Sequence, residues 1–158
     1  MEKEEVNMKK NPKGKLPGKF DHVGVVVKNL EKTIEYYQSM GIGPFVPNPS
    51  GLATDRKLYG KPANIKVKGA VAQMGPIKFE LMQPVKGRSL QKEFLLSKGE
   101  GINHISFIVE DIDKEVAKME KKGFKVISSG NHPSGSFAYL DTHKKGGVTI
   151  AFEMRKKK

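Results

Sequence analysis

Two histidines and two glutamates carry the chemistry in this chain: His22, Glu80, His104 and Glu153. A pair of neutral imidazoles and a pair of carboxylates balance the charge of a divalent cation. They also leave two positions of an octahedral shell for water or for two substrate oxygens. The chain has no cysteine, which excludes thiolate ligands, disulfides and a thiol nucleophile. The implied cofactor is one divalent metal ion, with Zn, Ni, Co, Mn and Fe all open. The residues lie far apart in sequence, 58 positions from His22 to Glu80 and 49 from His104 to Glu153. Spacing alone therefore says little, and the recurrence of the arrangement carries the weight.

The recurrence is an internal repeat. FDHVGVVVKNLEKTIEYYQSMG (Phe20 to Gly41) aligns without a gap on INHISFIVEDIDKEVAKMEKKG (Ile102 to Gly123) at an offset of 82, and His22 falls on His104. Each copy begins with period-two alternation, the mark of a strand. It then changes to helical spacing, with Leu30, Ile34 and Tyr37 on one stripe and Ile112, Val116 and Met119 on the other. Asn29 and Asp111 stand at helix N-cap positions, and Gly41 and Gly123 at helix ends. PIKFELM and GVTIAFEM close the two copies as strands. Matching Phe79-Glu80-Leu81 to Phe152-Glu153-Met154 gives an offset of 73. Two further strand candidates precede each closing strand, around Gly43–Pro47 and Ile65–Gln73, then Lys125–Ser128 and Phe137–Asp141.

Each copy thus reads as βαβββ. The expected fold is α+β, with two βαβββ modules forming an open, cupped β-barrel and the helices outside. The expected organisation is a mobile basic arm over 1–18, a first module over 19–85, a linker helix within 86–100, a second module over 101–154 and a basic tail at 155–158. The Gly/Pro-rich stretch from Asn48 to Pro62 reads as a long loop.

The net charge of +12 raises the question of nucleic acid, but its placement answers it. The first 19 residues carry +3 and the last four +4, leaving +5 for residues 20–154. No helix-turn-helix, zinc finger or aromatic RNA-binding signature is present. The expected partner is a small-molecule substrate, with an anionic one suited to the basic core. No apolar run reaches the roughly 20 residues of a membrane helix. The first 15 residues lack the apolar core of a secretory signal, so a cytoplasmic location is expected.

FDHVGVVVKNLEKTIEYY and GINHISFIVEDI resemble the two first-strand signatures of the vicinal oxygen chelate superfamily, and KFELMQP and IAFEM resemble its ligand-bearing last strands. The resemblance spans about residues 19–154 and is strongest toward the methylmalonyl-CoA epimerase and glyoxalase I branch. It implies a homodimer, and a metal-dependent isomerase or lyase that abstracts a proton next to a carbonyl while the metal acts as Lewis acid. HVGVVV and ELMQP resemble the epimerase. The His, Glu, His, Glu ligand set resembles bacterial glyoxalase I. The epimerase resemblance also implies a second base from the first module, yet no glutamate lies between Glu35 and Glu80, and Asp55 is the only carboxylate there.

Glu153 is the first candidate for the base and Asp55 a weaker one. Arg56, Lys57 and Lys61 read as solvated cations with a secondary possibility of holding an anionic substrate. Tyr59 and Tyr139 read as pocket-lining or packing residues. His132 and His143 read as surface histidines near turns, with His132 able to approach the site from a loop. The alternatives are a non-heme iron dioxygenase of the same fold and a non-catalytic small-molecule-binding protein. Glu80 argues against the first by filling a position that oxygen would need. The intact quartet argues against the second.

Overall fold

The computed structural model describes residues 14–157. The arm assigned to residues 1–18 therefore lies mostly outside the described residues, as does Lys158. Among the described residues one ten-stranded sheet curls into a cup, and four helices accompany it.

The first module opens with β1 (Lys19–Val26), followed by α1 (Leu30–Ser39), the short β2 (Val46–Pro47), and the long hairpin β5 (Lys66–Met74) and β6 (Ile77–Lys86). Between β2 and β5 lie a 3₁₀ turn (Pro49–Leu52) and the hairpin β3 (Thr54–Leu58) and β4 (Lys61–Pro62). After α2 (Leu90–Lys98) the second module runs β7 (Gly101–Ile108), α3 (Ile112–Lys121), β8 (Val126–His132), β9 (Gly135–Leu140), the single turn α4 (His143–Gly146) and β10 (Thr149–Arg155).

The repeat is visible in backbone detail. Asn29 Oδ1 accepts from the Lys32 amide and Asp111 Oδ1 from the Lys114 amide, each at 3.0 Å and with the same cap dihedrals. Both helices end in a glycine at positive φ, Gly41 at 85° and Gly123 at 90°, where a Cβ would be strained. The stripe of α1 packs on Val25, Val27 and Leu81, and that of α3 on Phe107, Ala138 and Phe152. These apolar faces hold the helices to the outside of the cup, at roughly 25 cal/mol per Å² of apolar surface removed from water.

The sheet order is β2-β5-β6-β1-β7-β10-β9-β8-β3-β4. Within each module the first and last strands are parallel neighbours, β1 beside β6 and β7 beside β10. The modules join edge to edge through the antiparallel pair β1–β7. This places the first strands of both copies at the centre of the cup, each flanked by its own glutamate-bearing strand.

The segment from Asn48 to Pro62 departs from the long-loop reading. Its hairpin crosses to the second module, where β3 pairs with β8, and its 3₁₀ turn touches both β5 and β8. It thereby bridges the two free edges of the cup. A bulge on β3 sets three steps, Thr54 to Lys57, against two on β8, Asn131 to Ser129. Positive φ at Asp55 and Tyr59 accompanies it. That irregularity, with Gly51, Pro49 and Pro62 nearby, hides the strand from a period-two reading. Leu58 and Arg56 are buried as a result. Leu58 joins Leu90 of α2, Ile127, Phe137, Tyr139 and Ala151 in a core that fills the concave side of the second module.

Candidate metal centre

His22 and His104 face each other across the central strand pair. Their Nε2 atoms are 3.1 Å apart, and their rings meet edge to face at 5.2 Å between centroids. Glu80 Oε1 completes a triangle, 3.7 Å from His22 Nε2 and 3.4 Å from His104 Nε2. All three are buried, His104 completely.

The orientation of each ring is set by the residue before it. His22 Nδ1–H donates to Asp21 Oδ2 at 2.8 Å, and His104 Nδ1–H donates to Asn103 Oδ1 at 3.2 Å. Asp21 and Asn103 are repeat equivalents at the offset of 82. With both protons held on Nδ1, both Nε2 lone pairs point into the same space, an arrangement that a cation between them would stabilise. The donor set fits a metal. Ligand bonds of about 2.0–2.2 Å put neighbouring donor atoms about 3 Å apart. Ser106 Oγ, on the cross-strand neighbour of His22, is buried without a hydrogen-bond partner among the described residues, which adds an unfilled polar group to the same spot.

Gly24 makes room for this geometry. It pairs with His104 across β1–β7, and a Cβ on it would overlap the His104 imidazole. Tyr139 supports the same ring from the other side, edge to face at 5.0 Å. Gly24→Ala is therefore expected to displace His104, to destabilise the fold by about 1–3 kcal/mol and to weaken metal binding. Thermal melts with and without added metal check both effects, and an unchanged metal-dependent shift in melting temperature would contradict this account of Gly24.

Glu153 stands beside the triangle and not in it. A ligand atom of Glu153 forms a second group with Asp21 and His22, all within 4.8 Å of one another. The strand register explains the offset. Val26 pairs with Met82 and its equivalent Ile108 with Glu153, while Glu80 pairs with Gly24 and Ala151 with Ser106. The two closing strands thus correspond at an offset of 71, and not at the 73 that aligns their glutamates. Two residues preserve the side of the sheet, so both glutamates enter the cup. Glu153 lies about 6.6 Å further along its strand.

Asp21, His22, Glu80 and Glu153 line a cavity of about 290 Å³ together with Asn48, Lys78, His132, Ser134 and Arg155. Asn48, which sequence reasoning did not single out, donates from its side-chain amide to Glu80 Oε2. Asp21 was also missed, although the Asx-His pair recurs in both copies. It accepts from Arg155 at 2.8 Å and pairs with Lys78 at 3.4 Å. Burial acts to raise its pKa, but the bond to His22 and these two cations outweigh it and hold the carboxyl at about 2.

The remaining candidates divide. Asp55 is exposed, 3.5 Å from Asn131, and is not among the residues lining this cavity. Arg56 is buried with its guanidinium 5.6 Å above the Phe137 ring, so the reading of a solvated cation does not apply to it. Lys57 and Lys61 are exposed. Tyr59 donates to Glu93 at 2.6 Å and shares a separate cavity with His143. His132 is half-buried and lines the cavity with His22 and Glu80, the approach to the site left open for it beside the surface reading, and it does so from the end of β8.

In the metal-free protein the triangle holds a proton unequally. Burial opposes protonation of His22, but Glu80, Asp21 and Glu153 outweigh it and raise its pKa. Burial and the neighbouring His22 lower that of His104. Burial raises that of Glu153. The sign for His22 follows from linkage: its contribution to stability is present below the ordinary value of 6.5 and is lost as pH rises through the raised value. NMR titration of the metal-free protein should show one site imidazole titrating above 6.5 and the other below it. Coincident titration of both at the ordinary value would contradict the shared-proton arrangement.

The sequence profile of the Glyoxalase/Bleomycin resistance protein/Dioxygenase superfamily matches residues 21–139. The chain belongs to this superfamily. Its members bind a divalent metal, and the buried His22–Glu80–His104 group could hold one. The chain is 27% identical to the mitochondrial methylmalonyl-CoA epimerase of Bos taurus over 141 residues, covering 86% of this chain and 74% of that one. It is 25% identical over 135 residues to the uncharacterized protein YqjC of Bacillus subtilis, covering 84% and 89%. Its fold is similar to that of a Streptomyces coelicolor methylmalonyl-CoA epimerase variant in complex with 2-nitronate-propionyl-CoA. The TM-score is 0.68 at 20% identity, over 89% of this chain and 96% of that one. Among the described residues no helix is long and apolar enough to cross a membrane.

Proposed function

We propose that this chain is a metal-dependent isomerase of the epimerase type, which removes the proton from the carbon next to a thioester carbonyl. The observation that carries the reading is the buried His22–Glu80–His104 triangle, with Glu153 beside it and lining one cavity with His22 and Glu80. The kinship with methylmalonyl-CoA epimerase supports an acyl-CoA as substrate.

A divalent metal, when bound, supplies a Lewis acid that draws charge from a carbonyl oxygen. His22, Glu80 and His104 would hold it, with Asp21 and Asn103 keeping the rings turned toward it. Glu153 either joins them or acts as the base. Its distance from the triangle favours the base, because a carboxylate not committed to the close group keeps an oxygen for a substrate proton. Burial lowers the cost of carrying that proton. Leu58, Phe137 and Tyr139 limit the water on the second-module side of the site. A lyase of the glyoxalase I type is the second reading, favoured by Glu80, since that ligand set resembles its own.

The test is proton exchange. Metal-loaded protein incubated with methylmalonyl-CoA in deuterium oxide should replace the hydrogen on the carbon between the two carbonyl groups. Exchange instead with the hemithioacetal of methylglyoxal and glutathione would favour the lyase. Exchange with neither substrate would overturn both readings.

A further inference from the structure

We propose that His132 is the substrate-recognition residue of this cavity, donating from Nε2–H to an anionic oxygen, such as a carboxylate, on the bound acyl group. The inference rests on the proposed reading of the site and names the substrate class it takes.

The cavity lining contains several charged or titratable side chains, and nearly all of them have assigned partners. His22 and Glu80 belong to the triangle, while Lys78 and Arg155 both pair with Asp21, which also holds His22. With Glu153 as the base, His132 is the remaining titratable group facing the substrate space among the described residues.

Its placement suits recognition. His132 ends β8 opposite Gly135 of β9, and Gly135 lies opposite Arg155 of β10. The adjoining row on the same face is Gly130, Phe137 and Glu153. His132 and Glu153 therefore enter the cup from the same face of the sheet, two strand spacings across and two residues along, about 12 Å apart. Both line the same cavity of about 290 Å³, which is the space open to a small acyl group.

The ring is held in one role. It stacks on Phe137 at 6.4 Å with 16° between planes, and the Ser134 amide donates to Nδ1 at 3.2 Å. A neutral ring accepting at Nδ1 carries its proton on Nε2, so it is a donor and not a base. Its surroundings are positive. Arg56 also lies against the Phe137 ring, 5.6 Å from its centroid, and the Lys156 backbone bonds to Ser134. Burial and these two cations keep the imidazole neutral to lower pH than usual. A neutral donor in a positive field suits an oxyanion and would leave an uncharged group in its place unrewarded.

The experiment compares two thioesters that differ in this one group. Calorimetric binding of methylmalonyl-CoA and of isobutyryl-CoA, which has a methyl in place of the carboxylate, is measured on metal-loaded protein and on His132→Phe and His132→Gln. His132→Phe should weaken methylmalonyl-CoA about 10- to 100-fold, the range for a hydrogen bond to a charged group. It should change isobutyryl-CoA less than about threefold on the same reasoning, because no charged bond is lost. Gln, which keeps a donor, should restore most of the difference, and metal content should stay the same in all three proteins. Equal effects on both thioesters, or no effect on either, would overturn the assignment. If methylmalonyl-CoA binds with this selectivity but does not exchange its proton, the proposed reaction fails and the recognition role stands. If the unsubstituted protein binds neither, both fall.

Discussion

Replacing His104 by alanine is expected to abolish tight metal binding and, with it, every metal-dependent gain in stability. His104 is fully buried, and its Nε2 lies 3.1 Å from His22 Nε2 and 3.4 Å from Glu80 Oε1. Removing it takes away one of two nitrogen donors and leaves a void between Gly24 and Tyr139. Loss of an outer-shell partner alone typically weakens a metal site about 10- to 100-fold, and a ligand should cost more than that. A ligand present at 100 times its dissociation constant stabilises a fold by about 2.7 kcal/mol. The unsubstituted protein should therefore melt several degrees higher with metal than without. The His104→Ala protein should melt at one temperature in both conditions. Asp21→Asn should give an intermediate shift. A full metal-dependent shift in His104→Ala would show that the triangle is a hydrogen-bonded core cluster and not a ligand set.

Glu153→Gln is expected to separate chemistry from metal binding. The substitution keeps the shape and removes the basic oxygen. If Glu153 is the proton acceptor, exchange of the substrate hydrogen should fall by about 10²- to 10⁴-fold, the usual contribution of a positioned general base. Metal content should stay near one equivalent, because Glu153 stands outside the close triangle. Loss of metal from Glu153→Gln would place it among the ligands instead. Exchange within about threefold of the unsubstituted rate, where a base should count for at least about 10², would remove it from the mechanism.

The fold was legible because the chain states it twice. The caps at Asn29 and Asp111, the apolar stripes and the glycine stops agree between copies, and each agrees with the burial it requires. The histidines were legible for the same reason. The relation between the glutamates was less so. Aligning Phe79-Glu80 on Phe152-Glu153 hides a two-residue shift that only strand pairing reveals, since parity along a strand is unchanged by an even step. The insert was misread because a bulge and positive φ at Asp55 and Tyr59 interrupt its alternation. Arg56 therefore read as a surface residue. The burial of Arg56 depends on β3 crossing to β8, a pairing between residues 70 to 77 positions apart for which the sequence carries no local signal. Asp21 had a signal, the Asx before each histidine, whose meaning emerges once both Nδ1 atoms are seen to bond it.

His22, Glu80 and His104 should close on one divalent ion. Titration of metal-free protein with Co²⁺, followed through the visible absorption of the bound ion, tests it most directly. Saturation is expected at one equivalent per chain, with weak bands from nitrogen and oxygen ligation and none from sulfur, and the signal should be lost in His22→Ala. Absence of saturable binding, or an undiminished signal in His22→Ala, would contradict it.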